Sequence, residues 1–260
     1  MSVIASDIII YGSENMQESD SGIQGSGINL STRVIFDSAV IANVPGTGGD
    51  GSFIVFSDGA ADTGNVTITG RSTSGSINTE VIGINGIVPT TGNTVFERIL
   101  KTVITDGSPT GNITIEDSTN ADLVIMESGV TTVRRPFYNV VAPSGGAASS
   151  NIYYEKVFVK NTNTSNALLS AVISEGADPG GVIKFDLESA QGGSNTSTNR
   201  RTSPSGADMV GSPTWGESSN VPGTDLGVGS GIGVWLQMTL PAGASATKTT
   251  YTLNVGGSTT

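Results

Sequence analysis

The side chains that most often do chemistry are unevenly supplied in this chain of 260 residues, which has no histidine and no cysteine. Without histidine there is no Ser–His–Asp triad, no histidine-ligated haem and no histidine–zinc centre. Without cysteine there is no disulfide framework, zinc–thiolate site, iron–sulfur cluster or thiol nucleophile. Carboxylates and arginines remain. Asp50, Asp58 and Asp62, or Glu14, Glu18 and Asp20, could offer oxygen ligands to calcium, but neither set has the alternating ligands and closing glutamate of an EF-hand loop. Paired carboxylates could hydrolyse glycosides, yet such clefts are rimmed by aromatic residues, which make up only 5% of this chain. Serine–lysine chemistry has no supporting spacing. The sequence therefore predicts no catalytic residue, no metal and no cofactor.

Two glycine and arginine clusters need separate treatment. Pro45-Gly46-Thr-Gly48-Gly-Asp-Gly51 contains a literal G-x-G-x-x-G, but Ser52-Phe-Ile-Val-Phe56 follows it as a strand. A dinucleotide site needs a helix there, so a glycine-rich hairpin loop is the better reading. Arg134-Arg135-Pro-Phe137-Tyr138 places two cations beside two aromatics, either as a solvated strand face or as a contact patch able to pair with carboxylates. Trp215 lies with Arg200 and Arg201 in a polar Gly/Ser-rich stretch. It either folds back on its own sheet or anchors in a neighbour's pocket. The five Asn-x-Ser/Thr sequons, beginning at Asn29, Asn65, Asn112, Asn163 and Asn195, match the chance level of so Ser/Thr-rich a chain.

The elements that would hold these residues are strands. Ile183, Phe185 and Leu187 alternate with Lys184, Asp186 and Glu188, and Val234, Leu236, Met238 and Leu240 alternate with Trp235, Gln237 and Thr239. Tyr251, Leu253 and Val255, Val66 and Ile68, and Ile113 and Ile115 repeat the period of two. Strands of this kind bury one face and wet the other. Thr94–Thr105 can be drawn as an amphipathic helix, but its β-branched residues and flanking Gly92 and Gly107 favour a long bulged strand. Asn85-Gly86 between apolar residues predicts a type I′ hairpin turn.

The predicted fold class is all-β, with two antiparallel Ig-like β-sandwich domains and an extended N-terminal arm. The arm covers residues 1–30, the first β domain 31–141, a small-residue linker 142–150 and the second domain 151–260. Residues 190–231 form a long connection outside the sandwich pattern, of a length that is usually functional or disordered. Ile8 and Ile10 stand ahead of a Gly/Ser/Glu-rich stretch. They suit an arm that adds a strand to a neighbouring subunit, with a strand folded onto the chain's own sheet as the rival. Twelve Lys and Arg against 23 Asp and Glu give a formal charge of −11, which suits neither nucleic acid nor an anionic membrane surface. Asp7 interrupts the opening apolar run, so no secretory signal is expected and folding in the cytoplasm is.

Tyr154–Asn163 followed by Leu168–Ser174 resembles the opening strand pair of bacterial and phage immunoglobulin-like domains. Leu240-Pro-Ala-Gly243 followed by Thr249–Val255 resembles their closing turn and last strand. From Ser2–Gly12 through Thr94–Leu100 to that strand, the whole chain resembles virion structural proteins of tailed bacteriophages, capsid-surface decoration proteins in particular. The resemblance implies a non-enzymatic virion protein, made in the host cytoplasm, that contacts the major capsid protein or neighbouring virion subunits and forms homo-oligomers. No catalytic or metal residue carries over. The contact residues implied are Ile8, Ile10, Arg134, Arg135, Arg200, Arg201 and Trp215. A tail or fibre component with a glycan-binding second domain, and a carbohydrate-active module, stand as alternatives.

Overall fold

The computed structural model describes residues 2–36, 53–72, 74–117, 121–178, 181–211, 213, 215, 216, 218–244 and 251–259. The Gly46–Gly51 loop and Asp50 lie outside these. The fold is all-β, with predominantly antiparallel sheets and, among the described residues, only single 3-10 turns as helix. No helix among the described residues is long and apolar enough to cross a membrane.

The chain divides into two compact units, Met1–Asn29 with Asn139–Thr260, and Leu30–Tyr138. The seam expected at 142–150 thus lies inside the first unit. There Val141 is tied down by the Tyr153 hydroxyl, which donates to its carbonyl at 2.8 Å.

In the first unit, β1 (Ile8–Met16) pairs with β11 (Asn151–Asn161), setting Ile8 opposite Asn161 and Ile10 opposite Val159. β11 pairs along its length with β16 (Gly231–Leu240), and β16 with β13 (Ile183–Gln191). On the other side β1 neighbours β2 (Gln24–Val34), whose start also bonds β14 (Thr196–Ser197). A second sheet sets β12 (Leu169–Ala177) between β15 (Ser218–Asn220) and β17 (Thr252–Ser258). The consecutive strands β11 and β12 fall in different sheets, as a sandwich requires.

Residues 1–30 are therefore not an extended arm. The reason is local: Thr162 donates from its backbone and hydroxyl to the Asp7 carbonyl at 2.7 and 2.9 Å, and the Asn163 amide donates to the Asp7 carboxylate at 3.0 Å. The Asn163 amide, then the Ile4 N–H, hold the Asp7 carboxyl below its usual pKa. Asp7 clamps the start of β1 to the end of β11.

In the second unit, β10 (Thr132–Arg134) lies parallel to the end of β2 and antiparallel to β7 (Arg98–Asp106). Next come β4 (Thr63–Arg71) and the edge strand β5 (Ile77–Asn85). A second sheet runs β6 (Thr90–Thr91), β3 (Ile54–Ser57), β8 (Ile113–Glu116), β9 (Asp122–Met126). Between the sheets lies one apolar core, including Phe53, Val55, Val66, Ile68, Phe96, Ile113 and Met126. β7 is a strand with register shifts against β4, as its composition predicts.

The Asn85-Gly86 turn differs from expectation. Val88 N–H donates to the Asn85 carbonyl at 3.0 Å, so Gly86 and Ile87 are the central residues, and Gly86 alone has a positive φ, +56°. That is the φ pattern of a type II′ turn, with glycine at its first central position. A side chain there would also strike the Ala60 carbonyl.

Because β1 stands between β11 and β2, deleting residues 2–11 removes pairing from both. The expected outcome is a collapsed melting temperature for this unit. Both tryptophans, Trp215 and Trp235, belong to it, so tryptophan fluorescence measures the effect.

Candidate functional site

The strongest chemical constellation sits on the face of β13, β16 and β11 that alternation reads as wet. Register places Lys156 opposite Trp235 and Trp235 opposite Asp186, with Glu188 one step further along β13. This face is covered. Residues of the segment after β13 lie over it, with Asn195, Met209 and Trp215 folded back onto the sheet. Trp215 stacks on Tyr154 with ring centroids 5.3 Å apart.

Beneath the cover, Lys156 Nζ lies 2.5 Å from Glu188 Oε1, and both side chains are sealed from solvent. Lys156 Nζ also donates to the carbonyls of Ser26 at 2.7 Å, Gly193 at 3.2 Å and Asn195 at 3.3 Å. Four acceptors crowd Nζ, more than the three hydrogens of an ammonium and twice those of a neutral amine, and the carboxylate among them favours the ammonium. The Phe158 ring, 4.6 Å from Nζ, adds a cation–π contact. Burial pulls the Lys156 pKa down and pushes Glu188 up, and each shift is opposed first by the partner's charge. Space for the pair comes from glycine. A Cβ on Gly233 would lie 2.2 Å from Glu188 Oε2, and one on Gly193 2.4 Å from it.

A second ion pair lies nearby on β11. The fully buried Arg200 guanidinium pairs with Glu155, and its Nη1 donates to the Asn139 side chain at 2.6 Å and the Glu18 carbonyl at 3.1 Å. Arg201 stacks on Tyr153 at 4.4 Å, donates to Asn151 at 2.8 Å and faces Asp20 at 3.6 Å. The expected contact residues are thus largely spent internally. Arg200 cannot serve a partner, because its charge is neutralised inside the unit. Arg134 is buried as well, over the Tyr138 ring at 5.2 Å. Arg135 is half-buried and donates to the Phe36 carbonyl at 3.4 Å. Ile8 and Ile10 are half-buried strand residues of β1, and Trp215 takes the fold-back alternative.

In the second unit the carboxylates proposed as calcium ligands do something else. Asp62 Oδ2 accepts from the Ser57 hydroxyl at 2.6 Å and Gly111 N–H at 2.9 Å, while Oδ1 accepts from Thr110 N–H at 2.9 Å and its hydroxyl at 3.0 Å. Donors fill the positions a cation would need. Asp58 likewise receives the Asn112 backbone and side-chain amides at 2.7 and 3.0 Å. In the other acidic set, Glu14 accepts from Ser26 at 2.7 Å. Led by the Ser57 hydroxyl and followed by the Thr110 and Gly111 amides, these bonds lower the Asp62 pKa to about 2.

The residues that organise both units, Lys156, Glu188, Glu155 and Asp62, were not singled out as structural from sequence. Two signals point to the first pair. Trp235 sits on the nominally wet face, and Gly231 and Gly233 interrupt an apolar strand, which marks close approach of another group.

Removing one member of the Lys156–Glu188 pair strands the other charge. Lys156→Met or Glu188→Leu alone should cost about 3–5 kcal/mol, whereas the two together should cost less than their sum. Urea unfolding followed by tryptophan fluorescence gives the cycle. For Asp62, a folded pKa below the unfolded value means stabilisation present above about pH 4 and lost as pH falls through about 2. Asp62→Asn should show a flatter melting temperature across that window than the parent, read by circular dichroism.

No protein-family model matches the chain, and no curated protein matches it, so the assignment of a role rests on its own residues and their geometry.

Proposed function

We propose that this chain is a non-enzymatic structural protein of a tailed-phage virion, decorating or cementing the capsid shell through protein–protein contacts. Its non-catalytic character draws on one observation above the others. The charged groups best placed for chemistry are engaged with one another and with backbone, Lys156 with Glu188 and three carbonyls, Arg200 with Glu155, Asp62 with four donors. Such networks rigidify a fold rather than activate a substrate. The particle comes from the resemblance of the whole chain, from Ser2–Gly12 through Thr94–Leu100 to the closing strand, to virion structural proteins of tailed bacteriophages. The partner would be the major capsid protein or a neighbouring virion subunit.

Co-sedimentation with purified particles and shells, with copy number counted by quantitative mass spectrometry, tests the reading. Binding in proportion to shell subunits is expected. A low copy number confined to tails would assign the chain to a tail or fibre, and turnover on a polysaccharide would overturn the non-enzymatic reading.

A further inference from the structure

The edges of the two large sheet segments are treated differently. β13 is covered: Gly216 exchanges backbone hydrogen bonds with Phe185 at 3.0 and 3.3 Å, and Val210 N–H donates to the Leu187 carbonyl at 2.9 Å. β5 is not. Among the described residues, its first five residues, Ile77–Val81, make backbone bonds to β4 alone. Its register with β4 runs without a bulge from Arg71–Ile77 to Thr63–Asn85. Ile77 is 44% exposed and Val81 61%, and alternation puts both on the face of Thr79. The strand holds no proline or lysine, the usual guards of an edge. Its one charge, Glu80, is turned inward, accepting from Asn93 N–H at 2.6 Å and Thr94 N–H at 2.9 Å.

We infer that the Ile77–Val81 edge pairs antiparallel with the same segment of a second copy of this chain, about a two-fold axis at Thr79. The segment is self-complementary in that register. Ile77 meets Val81 of the other copy twice over, Thr79 meets Thr79, and Glu80 meets Asn78, so no like charges are opposed. An axis at Glu80 would set the two carboxylates opposite each other. An occupant with its own sequence would gain nothing from this symmetry. The backbone bonds supply affinity and the Ile–Val pairs fix register. The contact is smaller than the roughly 1,200 Å² of stable complexes, so in solution it is a fast, weak dimer, strengthened wherever copies are held close together. Because both chains carry −11, added salt should tighten it. The inference stands on the edge strand and does not depend on which particle, if any, carries the protein.

Sedimentation equilibrium over a concentration series up to about 1 mM, a range that captures even weak pairs, tests this. The parent should move from one chain towards two. Thr79→Lys and Thr79→Glu should each pair at least tenfold more weakly, with unchanged circular dichroism and melting temperature. An equimolar mixture of the two variants should recover pairing, because lysine then faces glutamate on the axis. A parent that stays monomeric throughout, or a dimer indifferent to both Thr79 substitutions, would overturn the inference. So would a mixture no tighter than its components. If β5 amides gained exchange protection only on particles, from a monomeric protein, the edge would belong to a different chain and the second copy would be excluded.

Discussion

A lysine ammonium sealed from water is the constraint around which the first unit is arranged. An isolated buried charge of this kind costs several kcal/mol after relaxation, far more than one hydrogen bond returns. The unit meets that demand from four directions. Glu188 reaches across from β13, two glycines vacate the space between, and Ser26, Gly193 and Asn195 turn their carbonyls inward. The contributors come from three stretches of chain, so satisfying one ammonium brings the start of β2, the segment after β13, and the sheet itself into a single arrangement. Buried pairs are often replaceable by apolar residues at little loss of stability. Here the pair ties the segment after β13 to the sheet, since the Gly193 and Asn195 carbonyls reach Lys156 only when that segment lies over it.

The same logic explains how the described residues of the 190–231 connection are held. The stretch lacks periodicity and is rich in Gly and Ser, and its buried apolar residues are few, Met209, Val221 and Leu226 among them. Polar anchors hold it instead: Arg200 on Glu155, Asn195 N–H on Glu188, and the Asn195 side chain on the Asp208 carbonyl. Trp215, Met209 and Trp235 add one apolar cluster. In the second unit Asp62 does comparable work at a turn, joining the 57–62 loop to Thr110 and Gly111, while its own carbonyl receives Gly86 N–H at 2.8 Å.

The class of fold and most strands were legible because period-two alternation is a local property of the chain. Ile113 and Ile115, or Ile183, Phe185 and Leu187, announce a buried face wherever their strand is placed. Burial of the opposite face is a tertiary property, and there the sequence reading failed. Asp186 and Glu188 look solvated until the segment that covers them is known. Arg200 and Arg201 looked like an exposed pair for the same reason: a cation's partner is set by the fold, and nothing in its neighbours reveals it. The N-terminal segment was ambiguous in a different way. An apolar strand ahead of a Gly/Ser stretch suits pairing within or between chains equally well. Asp7, which settles it by binding Asn163, read from sequence only as an interruption.

Charge economy links the buried pairs to the exposed edge. Twelve cations serve the whole chain, and Lys156 and Arg200 are committed to neutralising carboxylates inside it. None guards β5. What remains against unwanted association is the net charge of −11, a diffuse repulsion screened over roughly 8 Å at physiological ionic strength. Strands in a sheet pair at about 4.8 Å, inside that length, and Glu80, the one charge on β5, is taken up by the Asn93 and Thr94 N–H groups. Net charge therefore slows encounter between copies without forbidding contact at the edge. Among the described residues, the Ile77–Val81 edge has no covering strand beyond β4 and carries a register that suits itself, so screened charge leaves it open to its own kind.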